Sequence, residues 1–364
     1  MKIKLKNTPE QVELIKAMGS RDVAVAREAT EAFAAFIGPV VSKVLLQAGT
    51  ASAIYSESPY DEDDAPSIPL DLWYNEGVDY VSVWSQNVAG GLPTSTVEGF
   101  SELKVSTYRL DSAVSFLKRY ARRGRLDVVS KAVERMSNEV LVKQERNAWA
   151  VVLKALAEAR DGSLTNDSVV GGHILASQAN TFQLADLSNL MKLVKRINTS
   201  YAGGTTVDSY GLTDLFVSPE VMADIRSIAF NPIGTNTAGS RTFETAPEAV
   251  REQIFRSAGA SELFGVTIHD LVELGVGAKY NILYNALRGA QADISTGEIV
   301  VGLDLSREGF IRPVARQSES GGTFTVLPDD QFVSRSEKTG FYGSLEEGRV
   351  CVDARTIVGL RQTR

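Results

Sequence analysis

Any chemistry in this chain of 364 residues has few groups to work with: the only histidines are His173 and His269, and the only cysteine is Cys351. Two histidines are too few for a metal site of the usual kind, and a lone cysteine rules out a cysteine metal cluster. His269 precedes Asp270 at the end of an expected strand and could serve as a base with a carboxylate orienting it. A surface histidine at a strand end is the commoner arrangement. Asp61, Glu62, Asp63 and Asp64 offer oxygen ligands to a cation, but the run lacks the glycine and the later glutamate of a calcium loop. Gly275-Val276-Gly277-Ala278-Lys279 is a fragment of a phosphate loop, without the Ser or Thr that should follow the lysine. There is no nucleophile elbow and no glycine fingerprint after a strand. Cys351 lies between Val350 and Val352 and reads as a packed thiol. No catalytic residue, cofactor site or metal ligand is therefore assigned. A soluble enzyme using His269 or the 61–64 run stands as the reading of a different class.

Composition narrows the field further. The chain is 43% hydrophobic and 23% charged, as soluble folded proteins are. A formal charge of -7 and a pI near 5.2 argue against a dedicated nucleic-acid reader, though not against a wall that merely surrounds nucleic acid. One cysteine excludes an internal disulfide framework. No apolar run is long enough for a membrane span, and the start, Met1 to Gln11, has no hydrophobic signal segment, so synthesis in a cytosol is expected.

The element that must position everything else runs over residues 125–161, without a single Gly or Pro and flanked by Gly124 and Gly162. As one helix it would be about 55 Å long, against an average of three turns. Val129, Val133, Met136 and Val140 give its first half one apolar face. Trp149, Val151, Val152, Leu153, Ala155 and Leu156 make its second half apolar nearly all round, so that end is expected to be covered on several sides.

Residues 1–50 read as an arm. Thr8, Pro9 and Gln11 suggest a capping box, and Val12, Leu14, Ile15 and Met18 give a short helix its apolar face. A second, Ala-rich helix shows Val23, Ala26, Ala29, Phe33, Phe36 and Ile37 and is expected to stop at Gly38-Pro39. Packing on its own core and packing on a neighbouring copy both fit.

Residues 51–109 carry an unusual charge pattern: from 44 to 103 there is no Lys or Arg, while acids include Glu57, Asp61, Glu62, Asp63, Asp64, Asp71, Glu76 and Asp79. Leu70, Leu72 and Tyr74 alternate, 78–84 is β-branched and aromatic, and 87–93 is a Gly-rich tip before a returning strand with Leu103, Val105 and Thr107. Such an excursion cannot be stable alone and needs something to lie on. Its single sign of charge suggests a basic surface. Lys118, Arg119, Arg122, Arg123 and Arg125 follow at once, either as a solvated helix face or as the receiver of another subunit's acidic excursion.

Residues 163–300 look like an α/β unit. A helix is expected over 181–199, a strand at 214–217, and a helix started by Ser218-Pro219. A mobile loop is expected at 231–247, and strands near 266–268 and 282–286. From Glu298 the pattern is β to Leu360, a late return that would tie two domains together.

This order of pieces resembles the major capsid proteins of tailed bacteriophages, the fold named after phage Hong Kong 97. The segments that carry the likeness are Ser101 to Ser106 running into Leu110, the helix from Arg125, Leu215 to Pro219 with the helix after it, and Lys338 to Phe341 with Val350 to Leu360. The resemblance implies an α+β chain with five parts. These are an N-terminal arm leading into a peripheral domain (1–50), an extended β loop (51–109), the peripheral domain with its spine helix (110–162), an α/β axial domain (163–295), and a β return with terminal strands (296–364). It implies a structural shell subunit forming hexamers and pentamers around double-stranded DNA, located in the virion and made in the host cytoplasm. Portal and scaffold or decoration proteins would be partners; DNA would be touched only non-specifically, and no membrane or cofactor is involved. An encapsulin-type protein compartment is the alternative within the same fold. Some family members join a loop lysine to a neighbour's asparagine, but this loop has only Lys104, at its base, so non-covalent overlap is expected. The arm leaves little room for a removable scaffolding segment, which implies a separate scaffold or none. The candidate inter-subunit residues are Asp61, Glu62, Asp63, Asp64, Asp71, Lys118, Arg119, Arg122, Arg123 and Arg125.

Overall fold

The computed structural model describes residues 8–47, 49–61, 64–69, 102–160, 172–177, 179–201, 211–230, 262–316, 323–329 and 337–364. The strands expected within 70–84, the tip at 87–93 and the loop at 231–247 lie outside the described residues. The chain is mixed α+β and divides into two compact units.

The first unit takes the N-terminal helices, the first part of the long helix and most of the late strands. Helices α1 (Pro9–Met18) and α2 (Val23–Gln47) come first. Thr8 has the extended backbone of an N-cap but makes no side-chain cap bond, so the expected capping box does not form. Helix α2 also corrects its expected end, because it runs through Pro39 to Gln47. An internal proline costs a helix about 3 kcal/mol. Burial on both sides of it offsets that cost: Ala26, Ala29, Phe33, Ile37 and Val41 all recur on one face and are buried. Phe36 and Val40, on another face, are exposed.

Strand β1 (Ser56–Asp61) pairs in parallel with β10 (Phe310–Arg316). Strands β2 (Ser67–Pro69) and β3 (Glu102–Lys104) pair antiparallel, Ile68 opposite Leu103, so the chain leaves and returns through one two-stranded ribbon. Strand β4 (Thr107–Leu117) lies along the whole of β12 (Lys338–Gly348), and β11 (Thr325–Asp329) forms a hairpin on the other side of β12. Phe33, Phe116 and Phe341 meet in the core, with ring centroids 5.4 Å and 6.1 Å from the Phe341 ring. Gly343 is required here, because a Cβ on it would sit 2.5 Å from the Phe324 ring. After α3 (Lys118–Arg122), the long helix α4 (Leu126–Glu158) is 33 residues, about 50 Å. Val129, Val133, Met136 and Val140 are buried in the first unit's core, as their spacing predicts.

The second unit takes the remainder of α4 from Trp149, the middle of the chain and its end. Its sheet has the order β5 (Ile174–Ala176), β14 (Ile357–Thr363), β9 (Gly297–Leu303), β6 (Asp214–Val217), β8 (Val266–Asp270) and β7 (Glu262–Leu263). The two-residue strand β13 (Val350–Cys351) precedes β14. Helices α5 (Leu184–Tyr201) and α6 (Pro219–Phe230) bury Leu187, Leu190, Val194, Val221 and Ile225 against Leu215, Val300 and Val358. Ser218 caps α6 by accepting from the Val221 amide at 3.1 Å. Trp149 of α4 is fully buried, edge-on to Phe216 at 5.1 Å and stacked on Tyr280 at 5.5 Å. The second half of α4 is thus covered, with Val152, Leu153 and Leu156 all at 0% exposure.

The expected strand at 282–286 is instead the middle of helix α7 (Lys279–Leu287). Gly275 and Gly277 take φ of +130° and +72° to bring the chain into it, and Tyr280, Asn281 and Tyr284 then recur on its buried face. The late strands divide: β9 and β14 belong to the second unit, and β10, β11 and β12 to the first.

Candidate functional site

One cluster of buried charge in the described structure lies where the excursion is rooted. Glu347, near the end of β12, is completely buried. Arg312 of β10 places both Nε and Nη2 2.7 Å from its Oε2, and Gln144 of α4 donates to the same oxygen at 3.2 Å. Tyr108, at the start of β4, donates to Oε1 at 2.7 Å, and Arg349 reaches that oxygen at 3.3 Å. Arg349 also lies over the Tyr55 ring, 4.8 Å from its centroid. Burial, and next the Glu347 charge, push the Tyr108 hydroxyl up to about 12.

These contacts hold both limbs of the excursion. The outgoing limb is held by Arg312, which pairs with Glu57 at 3.1 Å, directly across the parallel β1–β10 ladder. Glu346 accepts from Tyr60 of the outgoing limb at 3.1 Å and from Thr107 of the returning limb at 2.8 Å. Next to Gln144 on α4, Glu145 accepts from the Thr50 hydroxyl at 3.0 Å and the Ala51 amide at 3.1 Å. Tyr55 donates to the Ala148 carbonyl at 2.9 Å. The long helix is therefore the post to which the outgoing limb is tied. An isolated carboxylate in such a place would be costly; its bonds to two guanidinium groups, an amide and a phenol make it stable.

The residues singled out in the sequence are placed as follows. Asp61 ends β1, exposed, opposite Arg316 in register, and Asp64 is exposed with its amide on the Asp61 carbonyl at 2.8 Å. Glu62, Asp63 and Asp71 lie outside the described residues. The five basic residues do not share one face. Lys118 turns inward and is 9% exposed. Arg122 donates to the Gly19 carbonyl at 2.7 Å and lies 3.9 Å from Glu337. Arg119 stacks over Tyr120 at 5.1 Å, Arg123 is exposed, and Arg125 pairs with exposed Asp127 at 3.5 Å. Arg122 is exposed as well but is tied to the end of α1, so among the described residues the outward cations left for another partner are Arg119, Arg123 and Arg125.

His269 does not use Asp270. Its Nε2 lies 2.7 Å from Asp214 on the adjacent strand, and its ring stacks on Phe216 at 4.7 Å. His173 is buried with Nδ1 2.9 Å from the Ile357 carbonyl. Burial pushes the Cys351 thiol up to about 12, far from a reactive thiolate. Among the described residues no group of three or more His, Cys, Asp or Glu side chains could hold a metal ion. Among the same residues no helix is long and apolar enough to cross a membrane. The Glu347 cluster escaped sequence reading because its members come from five separate segments; the one local hint is the charged run Glu346, Glu347, Arg349 inside an otherwise strand-like ending.

No family model and no curated protein matches the chain. Solved structures are similar to it over most of its length. The capsid structure of the Cyanophage P-SCSP1u is 11% identical, with 85% of this chain and 87% of that one covered, at a TM-score of 0.49. The capsid of the native GTA particle is 14% identical, with 87% and 92% covered, at 0.49. The holo-SrpI encapsulin complex from Synechococcus elongatus is 11% identical, with 84% of each chain covered, at 0.43. At such scores, any functional reading has to stand on the chain's own residues and topology.

Proposed function

We propose that this chain is the wall subunit of a Hong Kong 97-like shell of the tailed-phage type, enclosing double-stranded DNA. The observation that carries the reading is the rooted excursion. A segment of single charge leaves and returns through one antiparallel ribbon, and its root is locked by a buried charge cluster to a 33-residue helix. A small hairpin is not stable by itself, so a root of this rigidity suits a limb that lies on another copy. In this reading 51–109 is the extended loop, the first unit corresponds to the peripheral domain and the second to the axial one. Hexamers and pentamers close by non-covalent overlap, steered by the acids of the loop and the outward Arg119, Arg123 and Arg125. The chain's charge of -7 suits a wall that holds DNA without gripping it. Portal and scaffold or decoration proteins would be its partners.

Electron microscopy of the purified protein tests the proposal. Closed shells protecting double-stranded DNA from nuclease are expected. Closed shells holding protein cargo and no DNA would favour an encapsulin-type compartment. A monodisperse monomer that never assembles would remove the shell reading altogether.

A further inference from the structure

Beside the basic stretch, the first unit contains a cavity of about 140 Å³. Met18, Ala26 and Pro328 give it apolar walls, and Lys118 and Thr339 line it as well. Its lip includes Val23, which is 62% exposed. A cavity of about 150 Å³ accommodates one benzene-sized group, so this one takes a single apolar side chain.

Two of its polar lining groups, Lys118 and Thr339, set the chemistry of the occupant; Thr30 already donates to the Ala26 carbonyl. Thr339 is 4% exposed, and its Oγ1 has no hydrogen-bond partner among the described residues. Lys118 is 9% exposed, and no carboxylate among the described residues forms an ion pair with it. A buried hydroxyl without a partner is unfavourable, so an acceptor entering the cavity would be stabilised there. Both groups are donors lining the same cavity, and a carboxylate is an acceptor suited to either. The remaining charged lining residues, Arg27 and Asp329, already have partners; Arg27 pairs with Glu31 at 3.0 Å.

We propose that this cavity is the socket for a carboxylate and its flanking apolar side chain from residues 71–79 of a second copy. The inference rests on the shell reading above. Within the acidic stretch, Glu57 is engaged by Arg312 and Asp61 faces Arg316, both in their own sheet. Residues 71–79 combine Asp71, Glu76 and Asp79 with Leu72, Trp73 and Val78. No lysine or arginine occurs anywhere from 44 to 103. The segment thus brings carboxylates and apolar groups together and has no nearby cation of its own in sequence; the socket offers the complementary pair.

Zero-length carbodiimide coupling tests the assignment, in particles reassembled from equal amounts of ordinary and ¹⁵N-labelled full-length chain. The expected product joins Lys118 to Asp71, Glu76 or Asp79, with about half of those linked peptides carrying one light and one heavy partner. Links between same-mass partners only would overturn the second-copy assignment. Coupling of Lys118 to Asp329, Asp330 or Glu337, or no coupling while other lysines react, would overturn the socket. Lys118→Met is expected to abolish the link and raise the protein concentration needed for assembly about tenfold. Thr339→Val, which keeps the shape, is expected to weaken the same link without unfolding the chain. Particles that form without the link would sink this inference alone, whereas failure of the wild-type chain to form particles would sink the shell reading and the socket together.

Discussion

Replacing Arg312 by Met is the sharpest perturbation of the root. Arg312 is 4% exposed and makes both 2.7 Å contacts to Oε2 of the fully buried Glu347. Without it, Oε2 keeps only Gln144 at 3.2 Å and a stretched approach of Arg349 at 3.5 Å. Removing one partner of a buried ion pair costs about 3–5 kcal/mol, mostly as the penalty on the charge left behind. The lower figure fits here, because Tyr108 and Arg349 still hold Oε1. With an unfolding entropy of about 2.1 cal/mol/K per residue, 3 kcal/mol lowers the melting temperature of a chain this size by about 4 °C. Glu57, on the outer side of Arg312, has a side chain 45% exposed, so Glu57→Gln is expected to cost under about 1 kcal/mol. Arg312→Lys should recover less than half of the loss, since an ammonium cannot present the guanidinium fork to both carboxylates. Differential scanning calorimetry gives the melting shifts, and hydrogen exchange should show faster amides in 56–61 and 107–110. An Arg312→Met shift below about 1 °C, or a Glu57→Gln shift equal to it, would refute the view that buried charge stabilises the root.

Other expectations follow from the same structure. Glu145→Ala removes the acceptor for Thr50 and Ala51 and should cost about 1–2 kcal/mol, read as faster proteolysis between 49 and 55. Trp149→Ala opens a cavity beside Phe216 and Tyr280 and should cost about 3–5 kcal/mol in denaturant unfolding. Burial is the main cause that raises Tyr108 and Tyr284 from 10.0 to about 12. Their raised values contribute stability that is complete below pH 10 and lost as pH rises toward 12, since only the unfolded chain has released those protons in between. Unfolding midpoints at pH 9 and pH 11 should show the drop, and Tyr108→Phe should flatten it. Arg119→Glu with Arg123→Glu should slow particle formation in low salt without changing the melting temperature of the subunit, as light scattering and calorimetry would report.

How much of this could be read in the sequence depends on whether the signal is local. The long helix was legible because its apolar residues repeat every three or four positions through Val129, Val133, Met136 and Val140. Ser218-Pro219 marked a helix start through a capping hydroxyl and a proline, both acting within one turn. Pro39 misled because the burial that outweighs its cost comes from tertiary packing of Phe33, Ile37 and Val41. Residues 282–286 misled because a short apolar run fits either period; only the buried trio Tyr280, Asn281 and Tyr284 shows which applies. The basic run was visible as composition but not as a surface. At about 100° per residue, Lys118 and Arg122 fall on one side of α3 and Arg119 and Arg123 on another. The Glu347 cluster was invisible for the opposite reason: Glu57, Tyr108, Gln144 and Arg312 are spread along the chain and share no pattern.

The need for such a cluster follows from leverage. Between the ends of β2 and β3 lie residues 70–101, 32 positions. Under the proposed function they form two antiparallel limbs, whose reach at 3.3 Å per residue is about 50 Å. Angular play of about 0.1 radian at the root would then move the tip by about 5 Å, one full strand spacing. Hydrogen bonds to solvent-exposed groups, each worth about 1 kcal/mol, would permit that play. A charge cluster sealed from water resists it, because any opening leaves Glu347 or Arg312 buried and unpaired. The root is therefore placed where β1, β4, β10, β12 and α4 all contribute a residue, so that any tilt of the limb has to disturb buried charge.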